Sequence, residues 1–189
     1  MSIQELFENP KDQIGEEEKE RRLNQYLECE TLLQKFFELV GYCREECAPN
    51  AEGIERTFGC CLGEYYHTDR LFHPEAASAL ELLEQRRVRK YGAPRATTKI
   101  EVINMKPCGY HTQEGCALQD HRPPYCISYA CNRLVNYILQ EFRIDFDSAN
   151  IHHSLIRMLS GAVDDQEFEK FKVQLQTMLN EAMTFFQSN

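Results

Sequence analysis

The stretch EEEKERRLNQYLECETLLQKFFELVG, residues 16–41, decides the fold class of this chain. Its apolar residues Leu23, Tyr26, Leu27, Leu33, Phe36, Phe37 and Val40 recur at steps of three and four. That spacing gathers side chains on one face of an α-helix. On the other face Glu17 stands four residues before Arg21, and Glu18 four before Arg22, the order that supports a helix surface. The stretch predicts an amphipathic helix with a buried stripe.

Working outward, more of the chain follows the same period. Ser2 and Glu5 form a capping-box pattern for a short helix ending near Pro10. Pro74 suits a first helical position, and the helix it opens runs to about Tyr91, where Gly92 stops it. Helix is predicted again from Ile127 to Phe142, and from Asp147, as N-cap, to Ser160 before Gly161. The last predicted helix, Asp164 to Phe186, carries the stripe Phe168, Phe171, Leu175, Met178, Leu179, Ala182 and Phe186. Thr97 to Met105 alternates weakly and predicts one short strand, while Pro107 to Pro124 reads as irregular loop. No repeat or linker divides the chain. The expectation is a single mainly α domain over residues 1–189: a helical shell around a loop-rich cysteine metal-binding centre, with at most one short strand or hairpin. The cysteine segment covers about 43–131 and the C-terminal helices about 127–187.

With 189 residues the chain is long enough to bury a core, and its net charge of −9 opposes binding to nucleic acid or to anionic lipid. Arg86, Arg87, Arg89 and Lys90 crowd one helix end, but a helix C-terminus favours cations for its own electrostatic reasons. No segment reaches the roughly 20 apolar residues that cross a bilayer. Met1 to Glu20 is acidic rather than basic and then apolar, so no export signal is read there and the expected compartment is the cytoplasm.

Nine cysteines are too many for such a chain to hold by chance. In a reducing compartment a cysteine-dense segment points to metal or redox chemistry rather than disulfides. Cys29 falls on the apolar stripe of its helix and reads as core. If that stripe continues through Gly41, Cys43 and Cys47 face inward one turn apart. Cys60 and Cys61 lie between Gly59 and Gly63, in a turn suited to directing N–H groups at thiolates. Cys108, Cys116, Cys126 and Cys131 follow at intervals of seven, nine and four residues. Pro123 and Pro124 stiffen the approach to Cys126, and Cys131 heads the stripe Leu134, Val135, Ile138 and Phe142. Four thiolates close a tetrahedral zinc site, and eight can hold two ions or an iron–sulfur cluster. His111 and His121 share the loop, but the thiolates suffice as ligands. His67-Thr68-Asp69 and His152-His153 have no partner visible in the sequence, and no catalytic motif of the common hydrolase, nucleotide or protease types occurs.

The downstream cysteines stand as Gly115-Cys116-Ala117-Leu118, Arg122-Pro123-Pro124-Tyr125-Cys126 and Cys131, with Cys108 ahead of them. In this pattern the chain resembles the bacterial family of zinc- or iron-chelating cysteine-cluster domains, named for a Cys-x2-Cys-x2-Cys-Cys motif. Upstream it departs from that motif: three residues separate Cys43 from Cys47, and twelve separate Cys47 from Cys60. The resemblance implies a protein that holds zinc, iron or an iron–sulfur cluster through Cys43, Cys47, Cys60, Cys61, Cys108, Cys116, Cys126 and Cys131. A redox or metal-dependent enzyme built on the same cluster is the alternative, and a thiol redox sensor is a weaker one.

Overall fold

The computed structural model describes residues 14–47, 65–99, 101, 106–112 and 115–188. The helix expected at Ser2–Pro10, and Cys60 and Cys61, lie outside them. Helix α1 spans Glu16–Val40, as its period predicts. Its inner face buries Leu23, Tyr26, Cys29, Leu33, Phe36 and Val40. Arg21 and Arg22 both turn to Glu18, at 2.7 and 2.8 Å, so Arg21 pairs with the carboxylate three residues back rather than with Glu17. The helix ends at Gly41, whose φ of 67° is left-handed and whose N–H caps Phe37. A π-type turn, Cys43–Cys47, follows.

Helix α2 (Tyr65–Phe72) leads through a short 3₁₀ turn, Pro74–Ala76, into α3 (Ala77–Tyr91), which Gly92 ends at φ 80°. Two short strands, β1 (His111–Thr112) and β2 (Gly115–Cys116), form an antiparallel ribbon with His111 opposite Cys116. Helix α4 is Pro124–Ser128, and α5 is Asn132–Tyr137, continued by a π-type turn over Ile138–Phe142. Helix α6 spans Ser148–Ser160 and α7 spans Asp165–Ser188. The fold is mainly α. No helix among the described residues is long and apolar enough to cross a membrane.

Helix α1 is the axis of the packing and touches α3, α4, α6 and α7. One continuous core joins its stripe to Leu83 of α3, Leu134 and Ile138, Leu155 and Leu159 of α6, and Leu175 and Ala182 of α7. Phe36 stacks on Phe146 at 5.7 Å between ring centres, fixing the chain ahead of α6 on α1.

Two expectations are corrected. The helix read over Ile127–Phe142 is broken at Tyr129, because the N–H of Ala130 goes to Ser148 Oγ at 3.3 Å instead of to a helical carbonyl. The strand read at Thr97–Met105 is absent from its described part, where Thr97 Oγ1 instead donates to Pro107 O at 2.8 Å. Extended pairing occurs further on, within the segment read as loop. The basic end of α3 is engaged in the fold: Arg86 pairs with Glu20, Lys90 with Asp120, and Arg87 is buried.

Candidate metal centre

The loop that carries Cys108 is held by the chain leaving α3. Arg95 N donates to Gly109 O at 3.1 Å, and Tyr110 Oη donates to Gly92 O at 3.1 Å. The two strands of chain lie so close that a Cβ on Gly109 would meet Arg95 O at 2.5 Å and Arg95 N at 2.8 Å. Only glycine admits this approach. The turn closes with His111 N–H on Cys108 O at 3.1 Å, and the backbone N–H groups of Tyr110 and His111 act electrostatically on the Cys108 thiol. Burial pushes that thiol's pKa up, and the two N–H groups work against the rise by favouring the thiolate. Cys116 is the ribbon partner of His111, close enough for its charge to raise Cys108 further. A cation between two such sulfurs would relieve both effects.

The approach to Cys126 is fixed from α1. Glu30, 1% exposed, accepts the N–H of His121 at 2.9 Å and of Arg122 at 2.8 Å. Tyr26 Oη donates to Arg122 O, and the Arg122 guanidinium donates back to Leu118 O. These bonds satisfy a loop whose residue His121 stands at φ 59°. The two prolines then start α4, which presents Cys126 at the surface. Burial lifts the Tyr26 hydroxyl well above its ordinary pKa, and Glu30, Asp69 and Cys126 all add to the rise. Phenol, carboxylates and thiol therefore share one electrostatic neighbourhood. Cys131 is half-buried at the residue before α5, against the edge of the core.

The histidines divide by partner. His121 Nδ1 lies 2.6 Å from Asp120 Oδ1. Burial alone would raise the Asp120 carboxyl, but Lys90, His121 and Tyr91 hold it well below the usual carboxylate range. His111 is half-buried, and burial together with Arg95 lowers its pKa. His153 is exposed on α6, as a polar helix position should be. His152 is different. Its Nε2 lies 2.7 Å from Oδ1 of Asp69, a carboxylate only 2% exposed, and its ring meets that of His73 edge-on at 5.6 Å.

Asp69, His73 and His152 form the group of three metal-ligating side chains found among the described residues, with one ligand atom from each lying within 4.8 Å of the others. The described cysteines form no such group. The structure places Cys43 at the surface rather than facing inward, because the left-handed cap at Gly41 ends the stripe that would have carried it in. Cys47 ends the π-type turn. Cys108 and Cys116 are brought together by turn and ribbon, whereas Cys126 lies within α4 and Cys131 at the far end of the break that follows it. Sequence reading missed the Asp69 cluster, although Asp69 and His73 are four residues apart across the end of α2, where the His73 N–H closes the last turn on Asp69 O at 2.8 Å. No family model, no curated protein and no solved structure matches this chain. The likeness in the cysteine pattern rests on the quoted residues alone.

Proposed function

We propose that this chain is a metal-binding protein that holds zinc or iron through a cysteine centre built on Cys108 and Cys116, with Cys126 and Cys131 completing it. Cys43, Cys47, Cys60 and Cys61 are the candidates for a second set of thiolate ligands. The observation that carries this reading is the turn at Gly109, which His111 N–H closes on Cys108 O and which puts Cys108 next to the ribbon that holds Cys116, with backbone N–H groups that favour the thiolate. Such N–H cradles stabilise sulfur in its anionic, ligating form. A buried thiol without a metal stays protonated, so the cradle is of use chiefly when a cation displaces that proton. Thiolate donors suit zinc, iron and iron–sulfur clusters over magnesium or calcium.

Anaerobic purification, metal analysis and a visible spectrum test the reading. Stoichiometric zinc in colourless protein, or iron in coloured protein, is the expected outcome. Cys108→Ser and Cys116→Ser should lower metal content by at least about tenfold, in line with the loss of a ligand. Cys29→Ala, whose parent side chain packs against Met158 inside the core, should keep the metal and cost on the order of 1 kcal/mol. Metal-free wild-type protein with a full complement of helix would overturn the proposal.

A further inference from the structure

The geometry points to a second metal site, one with no thiol among its ligands, in which Asp69, His73 and His152 bind one divalent transition ion of the zinc class and leave a further position open to water. The three residues come from two distant parts of the chain. Asp69 lies in the last turn of α2, His73 just beyond it, and His152 in the first half of α6. One carboxylate oxygen and two imidazole nitrogens are the donor set of zinc sites with three protein ligands, which keep an exchangeable water. Sites of purely structural type have four protein ligands instead.

Two of the three ligands already have the supporting contacts that metal sites use. His73 Nδ1 lies 3.2 Å from Glu75 Oε1. A proton held between those atoms leaves the imidazole lone pair on Nε2, the arrangement by which a carboxylate orients a ligating histidine. Asp69 Oδ2 accepts the N–H of Tyr125 at 2.9 Å, which fixes the carboxylate plane and leaves Oδ1 toward His152. The Tyr125 ring also stands edge-on to His152, at 5.9 Å. Bonds of about 2.0–2.1 Å in a tetrahedron place ligand atoms roughly 3.3 Å apart. The 2.7 Å between Asp69 Oδ1 and His152 Nε2 therefore has to open by only about half an ångström as an ion replaces the shared proton. The buried carboxylate supplies charge at the inner end. His73 and His152 keep 28% and 24% of their side-chain surface exposed, which gives the ion a way in. This differs from an ordinary buried Asp–His pair, which has no use for a third converging imidazole with a carboxylate of its own behind it.

The site is tested on full-length protein stripped with chelator and titrated with Co²⁺ as the probe, followed by calorimetry and absorption. Thiolate-bound Co²⁺ gives intense sulfur-to-metal charge-transfer bands, whereas oxygen and nitrogen ligands give only weak visible bands. Wild type should bind an ion with weak visible bands alone, distinct from any bound with thiolate bands. His73→Gln, at a partly exposed position with little effect on folding, should weaken that ion by at least about tenfold and leave the thiolate bands intact. His152→Gln should do the same, with its fold checked by far-UV circular dichroism. Unchanged Co²⁺ affinity and stoichiometry in folded His73→Gln and His152→Gln would overturn the site. Joint loss of the thiolate bands in His73→Gln would overturn its separateness. Absence of thiolate bands with the weak-band ion still present would instead count against the cysteine centre alone.

Discussion

At Glu30 a carboxylate enters the inner side of α1 and meets two backbone N–H groups of the loop that leads to Cys126. Burial pushes this carboxyl up from 4.5 to about 7 in spite of those two donors. The folded chain therefore binds a proton that the unfolded chain has released between those two values. The contribution is fully present below pH 4.5 and is lost as pH rises through 7. It amounts to about 3 kcal/mol. Denaturant midpoints measured across pH 4.5 to 7 should fall in wild type, and this part of the slope should vanish in Glu30→Gln. Below pH 4.5 that variant should be less stable by about 1–3 kcal/mol, since an amide nitrogen would oppose a backbone donor, and the gap should close as wild type loses its contribution toward pH 7. Gly109→Ala is a second test at this scale. Its Cβ would press on the Arg95 backbone, so a loss of about 1–3 kcal/mol is expected by chemical denaturation. Some of these positions are legible without coordinates: Cys29 sits on a stripe, and it is indeed core. Others are not. Cys43 follows the same stripe and yet emerges at the surface, because one left-handed glycine redirects the chain. His152 is separated from Asp69 by 83 positions, and only the packing of α2 on α4, of α4 on α6 and of the Pro74–Ala76 turn on α6 brings the two together.

Among the elements, those closed by local signals are where the residue pattern puts them. Asp147 Oδ1 accepts Asn150 N–H at 3.0 Å and starts α6, and Gly161 ends it at φ 76°. Asp147→Ala should cost about 1 kcal/mol, measured as a shift in the thermal or urea midpoint. The turn after α6 has a tertiary role as well. A Cβ on Gly161 would meet the Arg22 guanidinium, which donates to Ser160 O at 2.8 Å and ties the turn to α1. Elements shaped by distant partners depart from their residue pattern. The apolar period over Ile127–Phe142 is real, since Ile127, Leu134, Ile138 and Phe142 are all buried. The period carries no mark of the Ser148 hydroxyl that takes the Ala130 N–H and splits the helix. The β1–β2 ribbon was likewise invisible to alternation, because two-residue strands show none.

For the molecule as a whole, the mainly α shell follows from four long stripes, and these meet in one core. Unfolding should accordingly be a single transition, with far-UV circular dichroism and tyrosine fluorescence coinciding. Two separated transitions would show that α7 or the cysteine loops open as a unit of their own. Leu175→Ala, at a site 1% exposed where α7 faces the core, should lower that single midpoint by the equivalent of about 2–5 kcal/mol. The centre is less legible than the shell for a physical reason. Helical faces are written in short-range periodicity, whereas a loop centre depends on backbone bonds between segments far apart in the chain, such as Arg95 with Gly109 and Glu30 with Arg122.

The Cys29 thiol lies against Met158 at 3.9 Å, and burial pushes its pKa up to about 12. Among the described cysteines it is the buried one. An alkylating reagent that reacts only with thiolate should therefore modify the surface thiols promptly and reach Cys29 only when α1 and α6 part. Mass spectrometry of that single peptide over time would then act as a clock for the opening of the entire core, read from an atom already in place.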